Sequence, residues 1–281
     1  MAQAKRKEKE RAADAPAAEQ PVPAANGSTP APWQPPQPLS RGARWVLLGV
    51  VLLANLPLIH YALRGEQEAT VQVPYADDYS DRTTVERNYW TNGGYWRTVN
   101  GQLLAPGVKN NPLWLKAKLP RDAVVEFDAR SESPEGDIKC EIFGDGLNHA
   151  SGYVLIHGGW NNSVSVIARL DEHGTSLSQL QQQARKIQSD QGLPQANLVD
   201  TGVFRADTRM RVEANPYPVQ IGRTYHWKIE RKGTVLRWSI DGKPFMELDD
   251  PFPLEGSGHD RFAFSSWEAQ LYFDNLSVRP P

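Results

Sequence analysis

The chain contains almost no cysteine. Cys140 is the single one among 281 residues, which excludes an intrachain disulfide framework. Ile138 and Ile142 share one side of an alternating segment with Cys140, so we expect a buried, unreactive thiol. The fold must therefore be stabilised by an ordinary hydrophobic core, for which the chain is long enough.

Several motifs of enzyme and nucleic-acid chemistry are also missing. The sequence has no glycine-rich phosphate loop, no G-x-S-x-G nucleophile elbow and no set of His, Cys, Asp and Glu with zinc-site spacing. The net charge is −2, and no basic face interleaved with aromatic residues occurs. We therefore expect no nucleic-acid partner.

One long segment, Trp45–Leu63, lacks charged residues entirely. As a helix it would span roughly 28 Å at ~1.5 Å per residue, about the thickness of the hydrocarbon core of a bilayer. A buried core helix is the alternative, but no polar face appears before Asn55. We therefore predict that residues 45–63 form a transmembrane signal-anchor helix.

The charges that flank this segment predict its orientation. Arg41 and Arg44 precede it closely, whereas Arg64 alone follows at once. The positive-inside rule then places the N-terminus in the cytoplasm and the large C-terminal part outside it. In a Gram-negative bacterium this means the inner membrane, with the C-terminal domain in the periplasm. A cleaved signal peptide is the alternative, although no clear A-x-A site follows.

Residues 1–44 and 64–74 carry no pattern of a folded core. The first range opens with a mixed-charge run and continues rich in Ala and Pro, which is typical of a disordered tail with polyproline character. Pro32-Trp33-Gln34-Pro35 has the spacing of a P-x-x-P ligand for a cytoplasmic protein partner, but the motif is short, and the sequence favours a plain cytoplasmic linker. Residues 64–74 are interpreted as a linker.

The period of hydrophobicity becomes two in the C-terminal part, residues 75–281. Strands are expected at Ala123–Ala129, Asp137–Phe143, Gly152–His157, Ser163–Leu170, Thr224–Glu230, Val235–Ile240, Arg261–Ser266 and Leu271–Val278. Turn signals at residues 231–233 and 241–243 predict two hairpins. Residues 176–190 favour one short surface helix. Many short strands without interposed helices predict an all-β, antiparallel β-sandwich domain.

Five short motifs occur in a characteristic order along this domain. They are Asp77-Asp78-Tyr79-Ser80, Trp96-x-x-Val99-Asn100-Gly101-x-Leu103, Tyr225-x-Trp227-x-Ile229, Trp238-x-Ile240-Asp241-Gly242 and Phe273-Asp274-Asn275-Leu276-x-Val278. This order resembles the concanavalin A-like lectin/glucanase superfamily, and within it the branch of 3-keto-disaccharide hydrolase or family-16-like domains. The resemblance implies a jelly-roll sandwich over residues 75–281. All five motifs are architectural, so they imply little about activity.

The catalytic motif of family-16 glucanases is broken in this sequence. That family carries Glu-x-Asp-x-Glu or Glu-x-Asp-x-x-Glu on one strand, and here Glu126 and Asp128 match, but Arg130 or Ser131 replaces the last Glu. Glu132 lies six residues after Glu126, roughly 20 Å along an extended strand, whereas retaining chemistry needs carboxyls ~5 Å apart. The sequence therefore favours a domain without catalysis.

A concave polar face could still bind a glycan, because polar groups beside aromatic rings match the hydroxyl edges and CH faces of sugars. The candidate ligand-binding residues are Glu126, Asp128 and Arg130 on one strand, Lys139 and Glu141 on the next, and His157, Trp160 and Asn161 at a following loop. A solvated polar face is the alternative for the first two residues. For Trp160 the alternative is a ring folded back over the sheet.

Three aspartates are weak candidates for calcium ligands. Asp77, Asp78 and Asp274 would meet if the first and last strands are neighbours, but no dense D-x-D-x-D loop exists, and the sequence favours turn capping. No other cofactor is expected.

Three functions remain open from the sequence. The first is a membrane-anchored glycan-binding or structural domain that binds a glycan or envelope polysaccharide. The second is a glycosidase of the 3-keto-disaccharide type, and the third is a protein-interaction module in an envelope assembly.

Overall fold

The computed structural model describes residues 37–62, 68–192 and 197–281, which belong to two compact units, Met1–Ala62 and Leu63–Pro281. Three parts of these predictions lie outside the described residues: most of the predicted tail, residues 1–36, the last residue of the predicted membrane helix, Leu63, and residues 64–67 of the predicted linker. The helices are α1 Arg41–Ala62, α2 Thr84–Asn88, α3 Gly159–Asn162 and α4 Leu177–Gln191.

Helix α1 contains most of the apolar segment. It begins at Arg41, because the hydroxyl of Ser40 accepts a hydrogen bond from the backbone N–H of Ala43 at 3.2 Å. The amide of Asn55 donates to the carbonyl of Val51 at 2.7 Å, so this polar group is satisfied within the helix. By length and composition, the part Arg41–Ile59 is able to cross a membrane.

The second unit is built from strands. They are β1 Tyr75–Asp77, β2 Tyr89–Thr91, β3 Arg97–Val99, β4 Gln102–Pro106, β5 Leu113–Leu115, β6 Ala123–Ser131, β7 Ile138–Gly144, β8 Tyr153–Gly158, β9 Val164–Arg169, β10 Thr175–Ser176, β11 Met210–Glu213, β12 Thr224–Lys232, β13 Val235–Ile240, β14 Lys243–Asp249, β15 Arg261–Ser265 and β16 Gln270–Arg279.

Within the described residues these strands form two sheets of eight strands each. Sheet I has the order β14-β13-β12-β6-β16-β4-β3, with β1 paired to β16. Sheet II has the order β10-β11-β9-β8-β7-β15-β5-β2, and its pairs are antiparallel except β10 with β11. The side of each sheet that faces away from the shared core is called its outer face below.

The core between the sheets is rich in aromatic rings. Phe127 of β6 stacks on Trp227 of β12, with ring centres 5.2 Å apart, and meets Phe264 of β15 edge-on at 5.0 Å. Trp238 of β13 lies 4.3 Å from Trp227. Because each of these rings is fully buried, they join the two sheets into one hydrophobic core.

The predicted fold class is confirmed: the C-terminal unit is an all-β sandwich of mainly antiparallel strands. All eight predicted strands are present, both predicted hairpins occur, as β12–β13 and β13–β14, and the surface helix is α4. A capping box of Ser176 and Gln179 begins that helix. Cys140 is fully buried, as expected.

Candidate functional site

The structure divides the predicted ligand-binding residues between two opposite faces. Strand β6 lies in sheet I, whereas β7 lies in sheet II beside β8 and β15. The prediction that Lys139 and Glu141 continue the face of Glu126 on the next strand is therefore wrong. The polypeptide crosses from one sheet to the other between β6 and β7, so these two sets of side chains point to opposite sides of the sandwich.

On the outer face of sheet I, polar side chains satisfy one another. Asp128 accepts hydrogen bonds from Asn275 at 2.9 Å and pairs with Nδ1 of His226 at 2.8 Å. The Glu126 carboxylate lies 3.5 Å from the guanidinium of Arg279. These half-exposed contacts agree with a solvated polar surface.

Arg130 belongs to the same face. Its guanidinium lies over the ring of Tyr272 at 4.5 Å, donates to Gln102 at 3.2 Å and pairs with Glu132. All of its visible contacts are therefore within the face itself.

His157 does not reach either outer face. Its side chain is fully buried and stacks on Tyr217, with ring centres 5.2 Å apart, next to Trp238. Its Nε2–H donates to the carbonyl of Tyr217 at 2.8 Å, while Nδ1 has no partner among the described residues. Burial lowers the pKa of His157 to about 4. The predicted ligand role is incompatible with this position.

The outer face of sheet II carries a cavity of about 440 Å³. Strands β8 and β15 are both antiparallel to β7, so they end on either side of the point where β7 begins. Trp160 follows β8 and Trp267 follows β15, whereas Asp137 directly precedes β7. The two tryptophans thus come from separate loops, about 10 Å apart by strand spacing, and Asp137 lies between those loops.

Lys139 forms the floor of this cavity and is only 2% exposed. Its ammonium donates to Asn110 at 3.0 Å and to Glu172 at 3.1 Å, and it lies 3.6 Å from Asp137. Asp137 in turn accepts the backbone N–H of Trp267 at 2.6 Å. The floor is therefore a connected set of charged groups in which the buried ammonium has two carboxylate partners.

The imidazole of His149 extends this network beyond Glu172. His149 lies 2.6 Å from Glu141 and 3.5 Å from Glu172, and the fully buried Glu141 also accepts the N–H of Ala150 at 2.8 Å. Glu141 therefore does not line the cavity; it holds His149 in place. Sequence alternation assigned Lys139 and Glu141 correctly to one face, but loops from the far end of the sheet cover them.

The pKa values of these groups move in different directions. Burial raises the pKa of Asp137. For Glu172 burial also acts upward, but hydrogen bonds from His149 and the charge of Lys139 lower its pKa to about 2. Burial disfavours the charged form of His149, yet its hydrogen bonds to Glu141 and Glu172 raise the pKa to about 9. His149 is therefore cationic and Glu172 anionic at neutral pH.

Trp160 and Asn161 stand on an unusual turn. The φ angles of Trp160, Asn161 and Asn162 are 48°, 57° and 59°, all in the left-handed region, which costs about 1–2 kcal/mol for a residue with a side chain. Asn162 holds the turn, because its amide donates to the carbonyl of Val219 at 2.8 Å and accepts the N–H of Val219 at 2.7 Å. The turn presents Trp160 with 37% of its surface exposed.

The Trp160 ring is folded back in part and accessible in part. The ring lies against Arg211 at 5.2 Å and edge-on to His173 at 5.6 Å, so it folds toward the sheet. It nevertheless lines the cavity, as do Asn161 and Trp267, which is 48% exposed. One ring surface is thus supported by protein while part of the indole remains accessible.

Sequence reasoning missed Asp137, Glu172, His149 and Trp267. All four stand at strand ends or in loops that approach each other only through the order of the strands in sheet II. The single signal in the sequence was the unusual abundance of tryptophan, which is compatible with sugar-stacking surfaces but does not identify the ring involved.

The three aspartates suggested for calcium act as turn caps and local acceptors. Strands β1 and β16 do pair, as expected, yet Asp77 accepts the N–H of Tyr79 at 2.9 Å and Asp78 accepts that of Ser80 at 3.0 Å. Asp274 accepts the N–H of Asn275 at 2.8 Å. Among the described residues, no group of three His, Cys, Asp or Glu side chains is placed to hold a metal ion.

Comparisons with known proteins gave similarity to solved structures alone. No protein-family model matches the chain, and no curated protein matches it. The carbohydrate-binding module CBM66 from Bacillus subtilis aligns at 14% identity and a TM-score of 0.47, covering 68% of this chain and 95% of the module. A Bacillus subtilis protein of unknown function with a galectin-like fold aligns at 12% identity and 0.43, covering 73% and 94%.

A third solved structure is LamAcat from Zobellia galactanivorans. It aligns at 11% identity and a TM-score of 0.43, covering 73% of this chain and 96% of the other. Similarities at this level assign neither a ligand nor an activity to the present chain.

Proposed function

We propose that the C-terminal unit is a saccharide-binding module and that its ligand occupies the cavity on sheet II. The observation that carries this proposal is the pair of accessible tryptophans, Trp160 and Trp267, on separate walls of one cavity above a charged floor. Indole rings stack on the CH faces of sugars, and the carboxylates and amides of the floor accept and donate hydrogen bonds to hydroxyls. The sugar would thus contact both kinds of group at once.

The test is a glycan array followed by calorimetry on the full chain. The detergent must have a headgroup without sugar, because alkyl glycosides would compete for the cavity. Trp267→Ala and Trp160→Ala should each weaken binding of an identified glycan by about 1–3 kcal/mol, by analogy with other aromatic stacking platforms. Tyr95→Ala is the matched control, since this ring is 69% exposed but does not line the cavity.

Two results would contradict the proposal. One is an unchanged affinity in both tryptophan variants. The other is a melting temperature that falls as far in these variants as in Phe127→Ala, because the rings would then be core residues and not a binding surface.

Hydrolysis of a 3-keto-disaccharide is the second candidate function, and one observation favours it. Asp137 and Glu172 both line the cavity. One carboxylate oxygen of Asp137 lies 3.6 Å from the ammonium of Lys139, and one of Glu172 lies 3.1 Å from it. The distance between these two oxygens is therefore at most the sum of the two contacts. Their pKa values move in opposite directions, as in an acid and base pair. The position of the Lys139 ammonium between them favours binding over catalysis.

A hydrolysis screen with 3-keto-disaccharides and neutral oligosaccharides separates the two functions. Product formation that disappears in both Asp137→Asn and Glu172→Gln would establish the hydrolase. Binding without product formation would support the module.

We further propose that α1 anchors this module in the inner membrane, with the N-terminus in the cytoplasm and the C-terminal unit in the periplasm. Arg41 and Arg44 at the start of the helix support this orientation. Protease added to spheroplasts should then digest the C-terminal unit and spare the tail. A C-terminal unit that stays protected would contradict both the orientation and the location.

A further inference from the structure

Carboxylates predominate among the ionisable side chains that line the cavity. Asp137 and Glu172 lie at the floor, and Glu135 and Glu268 are exposed at the rim, whereas Lys139 is the single lysine or arginine among the lining residues. Even with Asp137 protonated, carboxylates outnumber the ammonium by three to one. The cavity is therefore an electronegative site.

The cations near the cavity already have carboxylate partners. Lys139 pairs with Asp137 and Glu172, and His149 pairs with Glu141 at 2.6 Å. The positive charges at and behind the floor are therefore already neutralised by carboxylates of the protein.

The cations on the Trp160 side are matched in the same way. Arg211, which lies against the Trp160 ring, pairs with Glu213 at 2.7 Å, and His173 lies 3.7 Å from Glu172. Neither Glu135 nor Glu268 forms an ion pair within the described part of the chain. The two rim carboxylates are thus the groups left to receive a charge from a ligand.

We propose that the ligand is a saccharide that carries free, protonated amino groups, such as a polymer of de-N-acetylated hexosamine. This inference rests on the saccharide-binding function proposed above. The pyranose rings would stack on Trp160 and Trp267, and the ammonium groups would lie at the rim beside Glu135 and Glu268.

Two physical arguments favour an ammonium at this place. The rim is exposed, so an ammonium there keeps much of its hydration and pays little for desolvation, while the indole rings attract cations through their π faces. An acidic saccharide would meet the two unpaired carboxylates at the rim and would be rejected by like-charge repulsion. A neutral, N-acetylated saccharide would stack equally well but would leave the rim carboxylates without a partner.

The test compares three oligosaccharides of equal length on the full chain in a detergent without sugar headgroups. They are a glucosamine oligomer, its N-acetylated form and a galacturonate oligomer, measured by calorimetry at mildly acidic pH, where the amines are protonated. We expect the glucosamine oligomer to bind about tenfold more tightly than the N-acetylated one, which corresponds to ~1.4 kcal/mol. The galacturonate oligomer should not bind.

A charge-matched pair of variants locates the source of this preference. Glu135→Gln with Glu268→Gln should bring the tenfold ratio to about one, mainly by weakening the binding of the glucosamine oligomer. Glu247→Gln with Asp249→Asn removes the same charge from β14, whose residues do not line the cavity, and should keep the ratio.

The possible failures are distinct. Equal or tighter binding of the N-acetylated oligomer overturns the amino-sugar inference and leaves the saccharide-binding function standing. Loss of the ratio in the β14 variant would mean that net charge and not the rim selects the ligand, which also overturns the inference. No binding of any of the three oligomers overturns the inference. If the glycan array is empty as well, the proposed function itself fails.

Discussion

Replacement of Lys139 by methionine should destabilise the fold strongly at neutral pH and much less in acid. The ammonium is 2% exposed and lies 3.1 Å from Glu172 and 3.6 Å from Asp137, whose side chains are 12% and 10% exposed. At an effective dielectric constant of ~20, each pair corresponds to about 5 kcal/mol of attraction before desolvation is subtracted. Loss of one partner from a buried pair leaves an uncompensated charge and costs about 3–5 kcal/mol.

The low end of that range is expected here, because His149 still faces Glu172. We therefore expect Lys139→Met to lower the free energy of unfolding by about 3 kcal/mol at neutral pH. Urea unfolding of the full chain in detergent, followed by tryptophan fluorescence, measures it. Lys228→Met is the matched control: this lysine is 41% exposed and lies 3.4 Å from Glu230, so its loss should cost less than about 1 kcal/mol.

The pH dependence identifies the carboxylates as the cause. In the parent chain the pKa of Glu172 is lowered to about 2, so the stability that it contributes is present above 4.5 and is lost as pH falls through 2. Without the ammonium, the folded-state pKa values of Asp137 and Glu172 should rise. Both carboxyls then take up protons at a higher pH than in the parent chain, which removes the unpaired charge. The difference between parent and variant should therefore shrink in acid. A difference that stays constant with pH, or one as small as in Lys228→Met, would refute the reasoning.

Three further outcomes follow from the core and the domain boundary. Phe127→Ala should lower the free energy of unfolding by about 3–5 kcal/mol in urea titrations, because a ring packed against four others is lost; a value near zero would contradict its core position. The fragment 71–281 should be soluble and show a β-type far-UV circular dichroism spectrum with cooperative unfolding, and an insoluble fragment would count against an independent domain. The folded-state pKa of His157, about 4, lies below its ordinary value of 6.5, so stability should fall as pH drops from 6.5 to 4, by at most about 3–4 kcal/mol. His157→Gln should flatten that part of the pH profile of unfolding, and an unchanged slope would argue against a buried neutral imidazole.

The long strands of sheet I could be predicted from the sequence because one of their faces is buried and the other is partly exposed. Strand β6 is the clearest case: Val125, Phe127 and Ala129 are buried while Glu126 and Asp128 are partly exposed. Strand β5, Leu113–Leu115, was missed because all three of its residues are buried and no alternation can show. Other short strands, such as β1 and β10, offer too few residues for any period to be seen.

The candidate site could be predicted only in fragments. Trp160, Asn161 and Lys139 were named, and all three line the cavity. Their grouping with Glu126 failed because strands that follow each other in the chain usually pair, whereas β6 and β7 belong to different sheets.

The alternation of polar and apolar residues along a strand also does not predict which loops cover its outer face. It predicts that a polar side chain on that face is exposed to water, yet Lys139 and Glu141 are buried under loops that carry Glu172 and His149. Glu172 lies 33 positions after Lys139 and 31 after Glu141, so the sequence near β7 gives no sign of this burial.

The left-handed turn at Trp160 has a consequence for how this position would change under selection. Glycine at 160 would relieve about 1–2 kcal/mol of backbone cost, but it would return ~0.4–1 kcal/mol to the unfolded chain and remove the contacts of the ring with Arg211 and His173. The backbone and the ring therefore act on stability in opposite directions at this position. Mutational libraries sorted for stability and for ligand capture should diverge here, because a ligand would contact the part of the indole that the fold leaves accessible.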